Sequence, residues 1–283
     1  MIIKKDCKLR IYSVILILII SATLNAQITS DTLPVPQFSS GHGFYENSFD
    51  VIVYAGTPNA SIKYTLDGSD PRYSASAIVQ SSPATINIDP ESTTGGRGKT
   101  PGVTLRACTL AAGDTVSESV TQTYLFVNKI GLLSPDKQKP GISWPNQTTS
   151  GQWIDYGMDP DVLNDPKYSS LIDDAMLSIP SISISTDLKN LFDPDSGIYM
   201  NASSDGVEWE RPCSVELLNP DSSEGFQINA GIRIRGGWSR HPENPKHAFR
   251  LFFRDIYGKG KLKYPLFGNE GVDEFDKMDL RTS

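Results

Sequence analysis

Residues 231–253, GIRIRGGWSRHPENPKHAFRLFF, hold the densest set of side chains that could do chemistry. Arg233, Arg235, Lys246 and Arg250 are four cations placed around the pair Gly236–Gly237. A guanidinium binds carboxylate or phosphate through a planar fork, and a lysine ammonium adds a point charge. Backbone N–H groups at paired glycines can approach an anion closely because no Cβ intervenes. The chemistry in outline is anion binding. A solvated surface hairpin, whose basic side chains meet only water, is the other use of the same pattern.

For the cations to converge, the stretch must fold as two paired strands. Strand side chains alternate, so Ile232 and Ile234 face one way while Arg233 and Arg235 face the other. In the second strand Phe249, Leu251 and Phe253 form an apolar row. Lys246, Ala248, Arg250 and Phe252 then face the opposite side, with the arginines.

The whole chain has 283 residues, which suggests roughly two domains. Its 38% hydrophobic and 21% charged residues are those of a globular protein, neither disordered nor membrane-filling. Many short runs rich in Val, Ile, Thr, Tyr and Phe between Gly and Pro favour β structure. The formal charge of −7 argues against a nucleic-acid partner for the chain as a whole. Against that acidic background the basic hairpin stands out.

Residues 1–26 read as a secretory signal peptide: Lys4, Lys5, Lys8 and Arg10, then an apolar run at 11–20, then SATLNA. Cleavage is expected after Ala26, although Leu24 is large for its place. The run is shorter than the roughly 20 residues that span a bilayer. Cys7 precedes it and cannot be a lipid-modified cysteine at the cut. The expected location is outside the cytoplasm: extracellular, periplasmic or cell-surface, with no membrane span in the mature chain. Cys108 and Cys213 then remain, and two buried unpaired thiols are expected rather than a disulfide. No CxxC pair or Cys/His cluster has zinc spacing, and His42, His241 and His247 are dispersed.

Residues 33–127 look like a small all-β domain. Strands are expected at 49–54, 60–66, 85–88, 102–109 and 121–127, with turn residues at intervals suited to a sandwich. The order PQFSSGHGFY, SIKYTLDGSDPRYS, VTLRACTLAAGDTVSESVTQTY resembles the chitobiase/β-hexosaminidase C-terminal-type β-sandwich, whose YTxDGSDP turn stands here at residues 64–71. The resemblance implies an accessory module of a secreted glycosidase or cell-surface protein, with a polysaccharide or cell-surface ligand in view. The insertion at 91–102, ESTTGGRGKTPG, reads as a flexible loop. Asp67 and Asp70 are too few for a calcium shell and read as turn-stabilising side chains. Tyr45, Tyr54, Tyr64 and Tyr73 are candidates for a sugar platform, although the apolar alternation around Tyr64 buries it.

Residues 128–178 form a connecting region rich in Pro, Gly, Gln and Thr, with one helix expected at 165–177, capped by Asp165 with Pro166 in its first position. Beyond residue 179 the pattern is β again. Strands are expected around Ile182 and Ile184 and at 211–218, 226–235, 246–254 and 274–280, with a helical turn at 187–192. Asp193 and Asp195 sit in a DPDSG turn.

Read together, EWERPCSVELLNP, then FQINAGIRIRGGWSRHPENPKHAFRLFFRDIYGKGKLKYPLFG, then FDKMDLRTS resemble the spore-coat protein H (CotH) type kinase family over residues 179–283. The resemblance implies an atypical, extracellular or secretory kinase that uses ATP and a divalent metal (Mg or Mn) to phosphorylate seryl hydroxyls of a protein substrate. Lys246 matches the family's lysine, and Ser239 and Arg240 complete its loop after Arg235, Gly236 and Gly237. Phosphoryl transfer also requires carboxylates for metal and for the acceptor hydroxyl. The resemblance places these beyond DLRTS, so a truncated chain, inert alone, is expected. Asp273, Glu274, Asp276 and Asp279 flank a strand and are not expected to be ligands. The fold class that follows is mainly β: an N-terminal antiparallel sandwich, then the β-rich N-terminal portion of an atypical kinase-like α+β domain. Two other functions share the sequence: a non-catalytic secreted binding or adhesion protein, possible through its sandwich as a carbohydrate binder, and an accessory piece of a polysaccharide-degrading enzyme.

Overall fold

Alternating apolar residues build two facing sheets in the first half of the protein. β1 (Gln37–Phe38), β3 (Phe49–Tyr54) and β6 (Ala84–Ile88) lie in the order β1-β3-β6. β2 (Gly43–Phe44), β4 (Ser61–Thr65), β5 (Ile78–Ser81), β7 (Gly102–Leu110) and β8 (Val120–Leu125) lie in the order β2-β8-β7-β4-β5. A computed structural model describes residues 33–133, 139–244 and 246–282. The leader expected at 1–26, Cys7 and Pro245 fall outside them.

Every second residue of these strands points into one core: Val51 and Val53, Ile62 and Tyr64, Ile86 and Ile88, Val103 and Leu105. Tyr64 is buried among them, as its alternation predicts. The sandwich differs from the expected all-antiparallel arrangement at one edge, where the two residues of β2 run parallel to β8. The loop at 91–102 also departs from expectation. It is not a flexible insertion, because the buried Arg97 guanidinium ties it down through the carbonyls of Asp89 (2.8 Å) and Ser92 (2.6 Å) and the Thr100 hydroxyl (2.8 Å). Composition reports Gly and Thr there, and one interior arginine outweighs it.

The second half is organised on a five-stranded antiparallel sheet in the order β15-β12-β11-β10-β9. Its strands are β9 (Ser181–Ser185), β10 (Arg211–Leu218), β11 (Phe226–Arg235), β12 (Ala248–Phe252) and β15 (Lys277–Leu280). β13 (Leu262–Lys263) pairs with β14 (Glu274–Phe275) beside it. The strand expected at 274–280 is therefore two strands, broken at Asp276, whose carbonyl accepts from Phe253 N–H at 2.9 Å. Cys213, Val215, Ile228, Ala230, Ile232, Ile234 and Leu251 make the apolar face of the large sheet, against Ile198 and Leu262.

Three short helices serve this half: α1 (Pro160–Leu163), α2 (Ile172–Met176) and α3 (Leu188–Phe192). α1 has the signals that sequence reading assigned to the next segment: Asp159 caps it, accepting from Asp161 N–H at 2.9 Å, and proline opens it. The helix expected over 165–177 is shorter, and Asp165 instead closes a turn by accepting from Lys167 N–H. The DPDSG segment is a turn held by Asp193, which accepts from Asp195 N–H, Ser196 N–H and the Ser196 hydroxyl. No helix among the described residues is long and apolar enough to cross a membrane.

The large sheet's other face meets the sandwich along β8, so β10 is buried on both sides. Residues 33–283 consequently form one compact unit. At the seam the fully buried Glu216 reaches from β10 into the sandwich. Its carboxylate accepts from Thr123 N–H (3.1 Å) and the Thr123 hydroxyl (2.5 Å) and lies 2.9 Å from His42 Nδ1. A second tie runs from Asp70 N–H to the Asp187 carboxylate at 2.8 Å. Cys108 and Cys213 are both buried and unpaired, and burial pushes their thiols up to about 11 and about 12.

Removing the Glu216 side chain leaves two Thr123 donors buried without an acceptor. Glu216→Ala is expected to cost about 3 kcal/mol of unfolding free energy. The wild type should unfold in urea in one transition. All four tryptophans lie beyond residue 128 and the sandwich has none, so tryptophan fluorescence follows the second half and far-ultraviolet circular dichroism follows both. Two transitions in the wild type, or no loss of stability in the variant, would count against the seam.

Candidate functional site

The hairpin forms as its alternation requires. β11 and β12 pair with Arg233 opposite Arg250 and Arg235 opposite Ala248, while Ile232, Ile234 and Leu251 face the core. Arg233, Arg235 and Arg250 do share the polar face. Most of their charge is met by the protein's own carboxylates, and the two acids involved differ greatly in exposure.

Glu210, immediately before β10, keeps its side chain 2% exposed and holds two guanidiniums: Arg254 Nε at 2.9 Å and Arg233 Nε at 3.3 Å. Arg233 also lies over the Phe252 ring, 3.9 Å from its centroid. Burial and then the adjacent Glu210 carboxylate push the Tyr257 hydroxyl up to about 12. The strand beneath must carry glycine, since a Cβ at Gly231 would stand 2.6 Å from both Glu210 Oε1 and the Tyr257 ring. Glu210 is the buried member, with Arg233 21% and Arg254 41% exposed. The contact to Arg233 Nε is an ion pair without hydrogen-bond geometry, and a buried acid is costly to strip of its cations. Arg233 is thus a structural arginine.

Asp279 sits opposite Arg250 across β12 and β15. It accepts from Arg250 Nη2 at 2.6 Å, from Arg250 Nε, and from Arg235 Nε at 3.3 Å. The Arg250 hydrogen bonds hold its carboxyl below the usual range. The Arg235 side chain is 47% exposed and Asp279 33%. Exposed pairs are worth only about 0–1 kcal/mol, so an incoming anion can compete for Arg235 where it cannot for Arg233.

The glycine loop turns back as a single 3-10 turn, Trp238–Arg240. Gly236 has φ +106°, and a Cβ there would collide with the Ser239 hydroxyl, which donates to the Arg235 carbonyl at 2.7 Å. Gly237 has open space where its side chain would be. Arg240 does not join the cationic face. Its guanidinium turns inward to the carbonyls of Gly236 (2.7 Å), Ser204 (2.6 Å), Ile234 (2.9 Å) and Ala202 (3.2 Å). Ser239 and Arg240 therefore hold the loop in shape. Lys246 is exposed just before β12. Of the hairpin cations it is the one with no carboxylate or carbonyl partner among the described residues.

On its other side the loop lines a cleft of about 360 Å³ with Trp238, His241, His247, Tyr199 and Gln152. Trp238 is 68% exposed and stacks on His241 at 4.8 Å between centroids, with 8° between planes. The buried His247 places Nδ1 2.6 Å from the Ser239 carbonyl, so Nδ1 carries the proton and Nε2 its lone pair. Burial pushes its pKa down, the Arg240 charge acts in the same direction, and the Ser239 carbonyl opposes them. Gln152 Oε1 is buried there without a hydrogen-bond partner among the described residues, while its amide nitrogen donates to the Asn244 carbonyl at 2.6 Å.

Sequence reading placed Arg233, Arg235, Gly236, Gly237, Ser239, Arg240 and Lys246 on one stretch, and the structure sorts them into three roles: pinned, loop-forming and available. It missed Glu210 and Tyr257, and it set Asp279 aside. The one local signal was Gly231 inside a strand, which marks a close approach. Among the described residues no group of three His, Cys, Asp or Glu side chains could hold a metal ion. Asp67 is spent on its turn, accepting from Ser69 N–H, Ser69 Oγ and Ser76 Oγ.

A family model described as Fn3 associated matches residues 51–124, which span most of the sandwich. No curated protein matches the chain, and no solved structure matches it.

A histidine whose folded pKa is depressed withdraws stability as pH falls below its unfolded value, about 6.5. With only three histidines in the chain, nuclear magnetic resonance can follow each imidazole. His247 should titrate below 6.5, and His247→Gln should flatten the loss of stability between pH 7 and 5. A His247 pKa at or above 6.5 would contradict the buried neutral ring.

Proposed function

We propose that this chain supplies the nucleotide-phosphate contacts of an exported protein of the spore-coat protein H kinase type, with the Fn3-associated sandwich as its accessory module. One observation carries the reading. Arg233 and Arg254 are held by Glu210, Arg250 by Asp279 and Arg240 by carbonyls, which leaves Lys246, after the glycine loop and just before β12, with no such partner among the described residues. A lysine with no acid to satisfy has its charge available for a phosphate. Gly237, open to approach, and the weakly held Arg235 are the groups that would join it.

The roles follow from the geometry of each group. Lys246 and Arg235 neutralise phosphate charge, the Gly237 backbone allows close contact, and Ser239 with Arg240 fixes the turn. ATP as a phosphate-bearing ligand suits these residues. A divalent metal does not, because the nearby acids Glu210 and Asp279 are engaged by arginines and the described residues hold no metal-binding group. No transfer step is derived from this chain. The same commitment of both acids favours a second reading, an exported binding protein that recognises a phosphorylated or ring-bearing ligand without turning it over.

Titration calorimetry with ATP tests the reading. ATP should bind, and Lys246→Ala should weaken it about tenfold or more, the loss expected for one charge-assisted hydrogen bond. Arg235→Ala should weaken it less, since that arginine is shared with Asp279. No ATP binding, or equal affinity in Lys246→Ala, would remove the nucleotide site. Inorganic triphosphate bound as tightly as ATP would favour the second reading, since the nucleoside would then contribute nothing to affinity.

A further inference from the structure

The seam between the sandwich and the large sheet opens into a second cleft, of about 950 Å³. That is near the upper end of the roughly 300–1,000 Å³ of small-molecule sites. The sandwich contributes the turn that follows YTLDGSDP, with Arg72 and Tyr73, and the buried Arg106. The sheet contributes Asn190, Gln227 and Asn229. Gln227 and Asn229 belong to the same polar face of β11 that continues into Arg233 and Arg235.

The guanidiniums of this cleft are already engaged, and Asp255 and Lys259, which also line it, are exposed and opposite in sign. Arg72 grips Asp70 through Nη2 (2.8 Å) and Nε (3.1 Å) and Glu118 through Nη1 (2.8 Å). Arg106 donates to the Gly68 carbonyl at 3.1 Å and lies 3.5 Å from the same Asp70 carboxylate. Burial would push the Asp70 carboxyl up, but the Arg72 hydrogen bonds and the Arg106 charge hold it below the usual range. A free phosphate therefore meets no open guanidinium fork. A peptide strand finds no edge to extend either, because β11 is hydrogen-bonded on both sides by β10 and β12.

Between these charged groups the cleft also offers hydrogen-bonding capacity of both signs. Asn229 Oδ1 accepts from Gln227 at 3.3 Å, which leaves the Asn229 amide N–H₂ and the Gln227 carbonyl without a partner among the described residues. The Asn190 amide nitrogen donates to Thr186 and Pro212, leaving its carbonyl. The Nε–H of Arg106, a residue only 5% exposed, is buried with no acceptor among the described residues. At the rim Tyr73 is 76% exposed, with the Arg72 guanidinium 5.2 Å from its ring centroid.

We propose that this cleft binds a neutral oligosaccharide. Each sugar hydroxyl both donates and accepts, which matches paired amide N–H and C=O groups. The C–H face of a pyranose packs on an exposed aromatic ring, and Tyr73 is held for that use by Arg72. The volume admits more than one ring. The proposal is independent of the nucleotide reading, since it uses no residue of the glycine loop.

Titration calorimetry of the chain against cellohexaose, xylohexaose, mannohexaose, chitohexaose and laminarihexaose is the test. At least one should bind, with the affinity reduced about tenfold or more by Tyr73→Ala and by Asn229→Ala. Tyr73 is exposed, so its variant should keep the wild-type urea midpoint. Saturating ATP should leave the affinity unchanged. The proposal is overturned if none of the five binds at millimolar concentration, if both variants bind like wild type, or if ATP competes.

Discussion

The Glu216 carboxylate is the interaction on which the rest of the arrangement depends. A charge with no exposed surface costs several kcal/mol unless its oxygens are filled, and here they are filled from the opposite sheet system, by Thr123 and His42. The acid therefore cannot stay dry unless the sandwich and the large sheet are docked. Docking in turn fixes Asp70 against Asp187 and opens the polar cleft between them. Two sheet systems thus share one frame.

One face of β11 carries the consequences outward. Gln227 and Asn229 line the seam cleft, Gly231 gives way to Glu210 and Tyr257, and Arg233 and Arg235 lie beyond. Along that face the side chains pass from neutral and open, through buried and paired, to exposed and loosely paired. Exposure of the partner acid decides the function of each arginine: 2% for Glu210 makes Arg233 structural, and 33% for Asp279 leaves Arg235 able to change partners. By spacing alone these arginines are equivalent.

Period-two alternation was enough to place five of the eight sandwich strands, the β11–β12 pair and the burial of Ile232, Ile234 and Leu251, because each depends on residues two apart. β1, β2 and β5, two to four residues long, carry too little alternation to be seen. The DGSDP and DPDSG turns were legible for the same reason: Asp67 and Asp193 bond within a few residues. The partners that set the site were not. Asp279 lies 44 residues from Arg235 and Glu210 lies 44 from Arg254, and only the fold brings them together. Arg97 shows the opposite failure, a single buried side chain ordering a loop whose composition suggested freedom. Capping chemistry at Asp159 and Asp165 was real in both places, but only the first opened a helix.

Amide hydrogen exchange at Thr123 examines the seam most directly, because that N–H donates to the Glu216 carboxylate. With the acid seated until the whole molecule opens, the Thr123 amide exchanges only through global unfolding, with the same free energy as the slowest amides of β7 and β11. Exchange at Thr123 with a free energy well below those strands would show the two halves separating on their own, and would contradict the single frame on which both clefts rest.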